Sequence, residues 1–328
     1  MTENWKGVRP IRYSEDIFDV LDYLVSNNST KIENLRILLT KKREEREKRR
    51  LTALQIRRTT ESKIRKKEEF LTKTEQLIRV LLNLKLIKKE KLSFISTPPA
   101  KSIVELIKNG KKLDAQSKFL EMLFDSTYPA YLLFIKQLTK TPIIIPKEKN
   151  KRNKEFSDFL KKQNMFLDSW SFFVIRDLFY DFNLLNYSNK ENEQQIFAVC
   201  TFDPKKIKFK QKIKTASGFL YNYPIICKTD FIKNLTESYL TLTDRRWGTL
   251  VNFLDLRENF TERFTISDNQ FNELISESFS KTILSIKIVP SVGSIRPSER
   301  KSNMVKVLNL PMDKSGIPYT LIRMTKEM

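Results

Sequence analysis

Few residues of this chain are arranged to do bond-making chemistry. A magnesium nuclease needs paired carboxylates and a nearby lysine at the ends of adjacent strands. The nearest match is Asp203-Pro204-Lys205 at a strand end, with Asp181 upstream. Glu61-x-Lys63 and Glu299-x-Lys301 repeat the pattern on a charged helix and in a loop. In a chain that is 30% charged, such pairs arise by chance, and Asp181 falls on a helix rather than a strand. Histidine is absent, which removes Ser-His-Asp and Cys-His catalysis, His-ligated zinc and the nucleases that depend on histidine. Cys200 and Cys227 are too few to hold zinc, and both sit in apolar, strand-like runs that suggest buried free thiols. Six glycines are few for a nucleotide-binding loop, and no nucleophile elbow occurs. We therefore expect no enzymatic activity and no cofactor or metal, with Asp181, Asp203 and Lys205 as the alternative catalytic set.

The cations carry the stronger signal. Lys and Arg number 61 against 39 Asp and Glu, a net charge of +22. Such an excess implies a polyanionic partner, most simply nucleic acid, unless it only keeps the surface solvated. No stretch approaches 18 apolar residues and the first residues, MTENWKGVRP, carry no signal-type apolar run. No membrane partner is expected, and an intracellular, cytoplasmic or nucleoid-associated location is. Nothing like an RNP motif or a KH loop points to RNA.

The elements that must position these cations follow from periodicity. Ile17, Leu21, Leu24 and Val25 line one helix, and Ile32, Leu35, Leu38 and Leu39 the next. A long charged stretch, residues 41–69, reads as an exposed basic helix or a solvated tether. As an arm it would bring Lys41, Lys42, Arg43, Arg46, Arg49, Arg50, Arg57, Arg58, Lys63, Arg65, Lys66 and Lys67 to phosphates. Leu77, Ile78, Leu81, Leu82 and Leu84 form a third helix. It runs into a basic turn with Lys88, Lys89 and Lys91, a short strand at Leu92–Ile95, and a new helix after Pro98-Pro99.

That order resembles a winged helix, in which the helix before the hairpin enters a DNA groove. The resemblance implies that Lys66, Thr72, Lys73, Thr74 and Gln76 reach phosphates or base edges. VIRDLFYDFNLLNY (Val174 to Tyr187) can be laid over LIRVLLNLKLIKK (Leu77 to Lys89) with a one-residue gap, and a polar turn and a strand follow it too. This second unit would present Ser169, Trp170, Ser171 and Arg176. Residues 203–214, DPKKIKFKQKIK, then alternate Lys, including Lys205, Lys206, Lys208 and Lys210, with Ile and Phe, as a strand with a lysine face toward phosphate or a lysine-protected edge strand. A third unit runs from Phe231 through Arg245-Arg246-Trp247 to a helix capped by Ser267 with Gln270. Asn269, Gln270 and Asn272 have base-reading chemistry there, and a loop with Arg296, Arg300 and Lys301 would be a basic wing tip before a strand at Val305–Leu310.

The expected fold is mainly α with small β-hairpins (α+β), as tandem winged-helix-like units over residues 1–140, 141–228 and 229–328. The expected function is double-stranded DNA binding, as a regulator, a replication initiator or the recognition subunit of a restriction or defence complex, with other protein subunits as partners. A magnesium nuclease and a winged-helix protein adaptor are the alternatives.

Overall fold

The computed structural model describes residues 14–53, 74–126, 128–146, 154–189, 193–205, 207–279, 281–293, 310–314 and 316–327. In chain order the elements are α1 (Ser14–Asn27), β1 (Thr30–Lys31), α2 (Ile32–Ala53), α3 (74–83), β2 (Ile87–Glu90), β3 (Ser93–Ser96), α4 (Pro98–Lys108), α5 (Lys112–Phe124) and α6 (Pro129–Lys140). They continue with β4 (Ile143–Pro146), α7 (Lys154–Lys162), α8 (Ser169–Asp181), β5 (Leu185–Asn189), β6 (Glu193–Ala198), β7 (Cys200–Thr201), β8 (Phe209–Thr215) and β9 (Gly218–Pro224). The remainder is α9 (Lys228–Leu242), β10 (Val251–Asn252), α10 (Phe253–Phe264), α11 (Asp268–Ser276), β11 (Thr282–Ile283), β12 (Ile286–Val292) and β13 (Tyr319–Lys326).

The fold is mixed α and β, with small antiparallel sheets of three or four strands, so strands contribute more than a mainly α fold would give. Some additions are short: β1 and β10 have two residues each and β4 has four. β4 lies at the edge of its sheet, where proline removes no ladder bond that a neighbour needs.

One order of elements occurs three times: helix, short strand, helix, helix, strand, strand. It runs through α1-β1-α2-α3-β2-β3 and α6-β4-α7-α8-β5-β6, and through α9-β10-α10-α11-β12-β13 with the two-residue β11 added before β12. Each time the first strand pairs antiparallel with the last, giving sheet orders β1-β3-β2, β4-β6-β5 and β10-β13-β12-β11. The first two copies also share their hydrogen bonds. Leu86 N donates to Leu81 O at 2.9 Å and Leu184 N to Phe179 O at 2.8 Å, each after a left-handed residue, Lys85 (φ 56°) or Asn183 (φ 59°). Past the hairpin, Thr97 N donates to Leu86 O (3.1 Å) and Val199 N to Leu184 O (3.0 Å). The caps align α3 with α8 without a gap, and the order of elements starts the second copy at α6, ahead of the expected boundary at residue 141.

By compactness the chain divides in two. The described residues of one unit fall within Met1–Glu47, Arg58–Leu185 and Asn189–Asn222; those of the other fall within Lys48–Arg57, Asn186–Ser188 and Tyr223–Met328. In the first unit α8 is the central helix. Phe182 stacks on Phe119 (ring centroids 5.4 Å apart) and meets Phe18 edge-on, while Phe179 packs on Phe124, Tyr131 and Phe134. The core of the second unit gathers Phe231, Leu235, Phe253, Phe260, Phe271 and Ile288. Among the described residues no helix is long and apolar enough to cross a membrane.

Candidate nucleic-acid interface

The first copy presents the best-placed cations. Its hairpin is fixed at both ends. Thr97 Oγ1 donates to Lys85 O and Leu86 O, both at 2.8 Å, and Lys91 turns the two-residue loop in a left-handed conformation (φ 52°). Holding a lysine there costs about 1–3 kcal/mol. β2 buries Ile87 and exposes the rest, so Lys88, Lys89 and Lys91 face solvent. Lys88 pairs with Glu90 at 2.6 Å, a surface contact worth little. Leu92, at the tip, is 77% exposed. Arg79, Asn83 and Lys85 are exposed on and just after α3, within a few residues of the hairpin, and Asn83 hydrogen-bonds Tyr128 through its amide. Gln76 is half-buried in the first turn, and Thr74 is fully buried.

Two cations assigned to the arm are used inside the fold instead. Helix α2 runs unbroken from Ile32 to Ala53, so the charged stretch begins as its second half. Arg43 is buried and donates to Asp16 through Nε (2.9 Å) and Nη2 (2.7 Å), and to Thr74 Oγ1 (3.4 Å). Arg46 binds Glu15, Asp16 and Asp19. The acidic face of α1 thus neutralises these arginines and clips α2 and the start of α3 to it. Burial raises the Asp19 carboxyl above its ordinary range even though Arg46 opposes it. Arg49 and Arg50 lie in the later turns of α2. Arg57, Arg58, Lys63, Arg65, Lys66, Lys67, Thr72, Lys73, Lys206, Arg296, Arg300 and Lys301, with the expected strand Val305 to Asn309, fall outside the described residues.

The second copy does not offer its third helix to a groove. Helix α8 is packed on nearly every side. Trp170 is 46% exposed at its first turn, but Ser169 and Arg176 are half-buried and Ser171 is buried. Ser171 is tied to the cap by Asp168 at 2.8 and 2.9 Å. The Arg176 guanidinium is held by Asp177 (2.6 Å) and Gln194 (3.0 Å) and lies over the Phe173 ring.

The third copy differs again. Gln270 is buried, donating to Pro224 O at 2.5 Å, and Asn272 is buried, accepting from Arg257 at 3.2 Å. Both are turned into the core, so neither is placed to read a base. Asn269 is half-buried. The exposed positions of α11 are Glu273 and Ser276, with Glu277 just beyond, a face that repels phosphate. Buried Arg257 pairs with Asp268 at 3.5 Å, and Asp268 accepts from Asn186 at 2.7 Å, which locks α10 to α11. Arg245 and Arg246 are exposed in the loop after α9, beside Trp247.

A further cationic face lies on β8. Lys210, Lys212 and Lys214 are exposed while Gln211, Ile213 and Thr215 are buried. Lys205 and Lys208 precede it and are exposed. The lysine face expected over residues 203–214 is present from Lys210 to Lys214, while Lys205 and Lys208 lie in the loop before the strand.

The alternative catalytic residues are engaged elsewhere. The Asp181 carboxylate accepts a hydrogen bond from Ser14 N, and burial raises its pKa. Asp203 accepts from Lys205 N at 3.3 Å and its backbone meets Thr201 Oγ1, the bonding of a local turn. Among the described residues no group of three or more His, Cys, Asp or Glu is placed to hold a metal ion. Cys200 is buried as expected, but Cys227 is exposed and caps α9, its sulfur accepting from Asp230 N at 3.4 Å. Comparison with protein-family models, with curated proteins and with solved structures returns no match for this chain.

Proposed function

We propose that the chain binds double-stranded DNA through its first copy, acting as a winged helix. Helix α3 would approach the major groove with Arg79, Asn83 and Gln76, and the hairpin would lay Lys88, Lys89 and Lys91 along a phosphate backbone. Neutralised phosphates release counterions, which supplies most of the affinity. The observation that carries the reading is the strand pairing of β1 with β3 beside a hairpin that exposes Lys88, Lys89 and Lys91, with Glu90 and Leu92 between and beside them. The other two copies share the fold but serve other ends: α8 is the hub of a core, and α11 turns carboxylates outward, a surface suited to a protein partner. On this reading the protein is an intracellular DNA-binding component that passes its recognition on to other subunits, as a regulator, initiator or defence subunit does.

The test is anisotropy titration of duplex DNA over a salt series. Each phosphate contact contributes about 0.9 to the slope of log K against log salt, so replacing Lys88, Lys89 and Lys91 by Ala lowers it by about 2 to 3. Lys233→Ala, on an exposed face of α9, is the control and leaves the slope unchanged. No binding at low salt, or equal loss in variant and control, would leave the adaptor reading in its place.

A further inference from the structure

We infer that the β8–β9 hairpin holds a single strand of DNA on its outer face, separate from the duplex site. The hairpin has two unlike sides. Its inner side is anchored: Ile213 and Leu220 are fully buried, Gln211 donates to Leu113 O (3.1 Å) and accepts from Asn222 (2.8 Å), and Lys214 N donates to Glu121 (3.0 Å). Its outer side carries Lys210, Lys212 and Lys214 from one strand, and Phe219 and Tyr221 from the other.

Phe219 is 42% exposed, and Lys212 Nζ lies 3.9 Å from its ring centroid and 5.8 Å from that of Tyr221. A solubilising edge strand explains lysines but not an exposed ring, Phe219, set among them with a half-buried one, Tyr221, that packs on Phe209. Alternate residues of a strand stand about 6.6 Å apart, so the three ammonium groups can follow successive phosphates of an extended chain. The rings offer flat faces for bases, as on other single-strand platforms. A duplex cannot use them, because its bases are already stacked on one another.

The choice of DNA over RNA rests on the duplex reading above; the strand site itself does not.

The experiment uses the full chain and a labelled thymidine oligomer of roughly 16 nucleotides, the upper range for one small fold. A duplex and a uridine oligomer of the same length are run beside it. Phe219→Ala weakens the thymidine oligomer by about 5- to 150-fold, the range for one stacked base, and leaves the duplex unchanged. Phe219→Trp keeps the affinity, and Phe219→Leu loses it, because a ring rather than apolar bulk is required. Replacing Lys210, Lys212 and Lys214 by Ala lowers the single-strand salt slope by about 2. The inference is overturned if Phe219→Leu binds like the native chain, if strand and duplex weaken together, or if the uridine oligomer binds more tightly. Failure here leaves the lysines of the β2–β3 hairpin, and the duplex reading, untouched.

Discussion

Asp268→Asn should unfasten the third copy. Arg257 is wholly buried, and Asp268 is its carboxylate partner at 3.5 Å with a side chain 1% exposed. No solvent screens either charge. The replacement keeps the volume and leaves an acceptor for Asn186, so what it removes is the countercharge. Breaking a buried ion pair from one side costs about 3–5 kcal/mol, because the remaining ion stays desolvated. At about 1.36 kcal/mol per factor of ten, slow amides of α10 and α11 should exchange hydrogen roughly 100 to 5000 times faster. Replacing both partners, Arg257→Met with Asp268→Leu, should recover at least half of that loss, since a packed apolar pair removes the stranded charge. Hydrogen exchange read by mass spectrometry on peptides of the two helices makes the comparison. A change below tenfold for Asp268→Asn, or a double variant as loose as the single, would show that the guanidinium finds other support and that this pair does not lock the helices.

Other outcomes follow from the same structure. Phe179→Ala should destabilise the first unit by about 3–5 kcal/mol, seen in urea unfolding, because its ring packs on three others. Asp181→Asn should be neutral or stabilising at pH 7. Burial raises the folded-state pKa, so the acid's contribution is complete below about pH 3.8 and is lost as pH rises through the folded value; the gain from the amide should shrink on acidification. A clear loss of stability at neutral pH would refute this. Above about pH 10 stability should fall, because burial and Glu273 hold the Tyr223 phenol protonated when the unfolded chain has begun to ionise. A maleimide should label one cysteine per native chain, at Cys227, and two after unfolding; native labelling of Cys200 would contradict its burial.

The repeated helix before a hairpin was legible in the sequence because Leu77 to Leu86 and Ile175 to Leu184 put apolar side chains at matching turns. The opening strands were not. Thr30–Lys31, Ile143–Pro146 and Val251–Asn252 are too short to show alternation, and pairing with a distant strand is what makes them strands. Arg43 and Arg46 read as free cations because their acidic partners lie on α1, about 30 residues away in sequence and one helix over in space. The burial of α8 could have been seen. A helix whose sequence is SWSFFVIRDLFYD spreads large apolar residues around most of its circumference, and such helices lie inside a core. Gln270 shows the opposite limit. It has the chemistry to read adenine, and only packing decided that its amide should meet Pro224 O instead.

In every copy the last strand to be made lies between the two made earlier. Chains leave the ribosome from the N-terminal end at about 5–20 residues per second. Strand β10 therefore emerges well before the Tyr319–Lys326 segment it must pair with, a wait of roughly 3 to 14 seconds at that pace. Through that interval Val251 and the β12 ladder have no native neighbour on the side β13 will fill. Translation speed over this stretch, and whatever shelters the nascent chain, should bear on the yield of folded protein more than the same factors acting on β4, whose partner strand β6 follows after fewer residues.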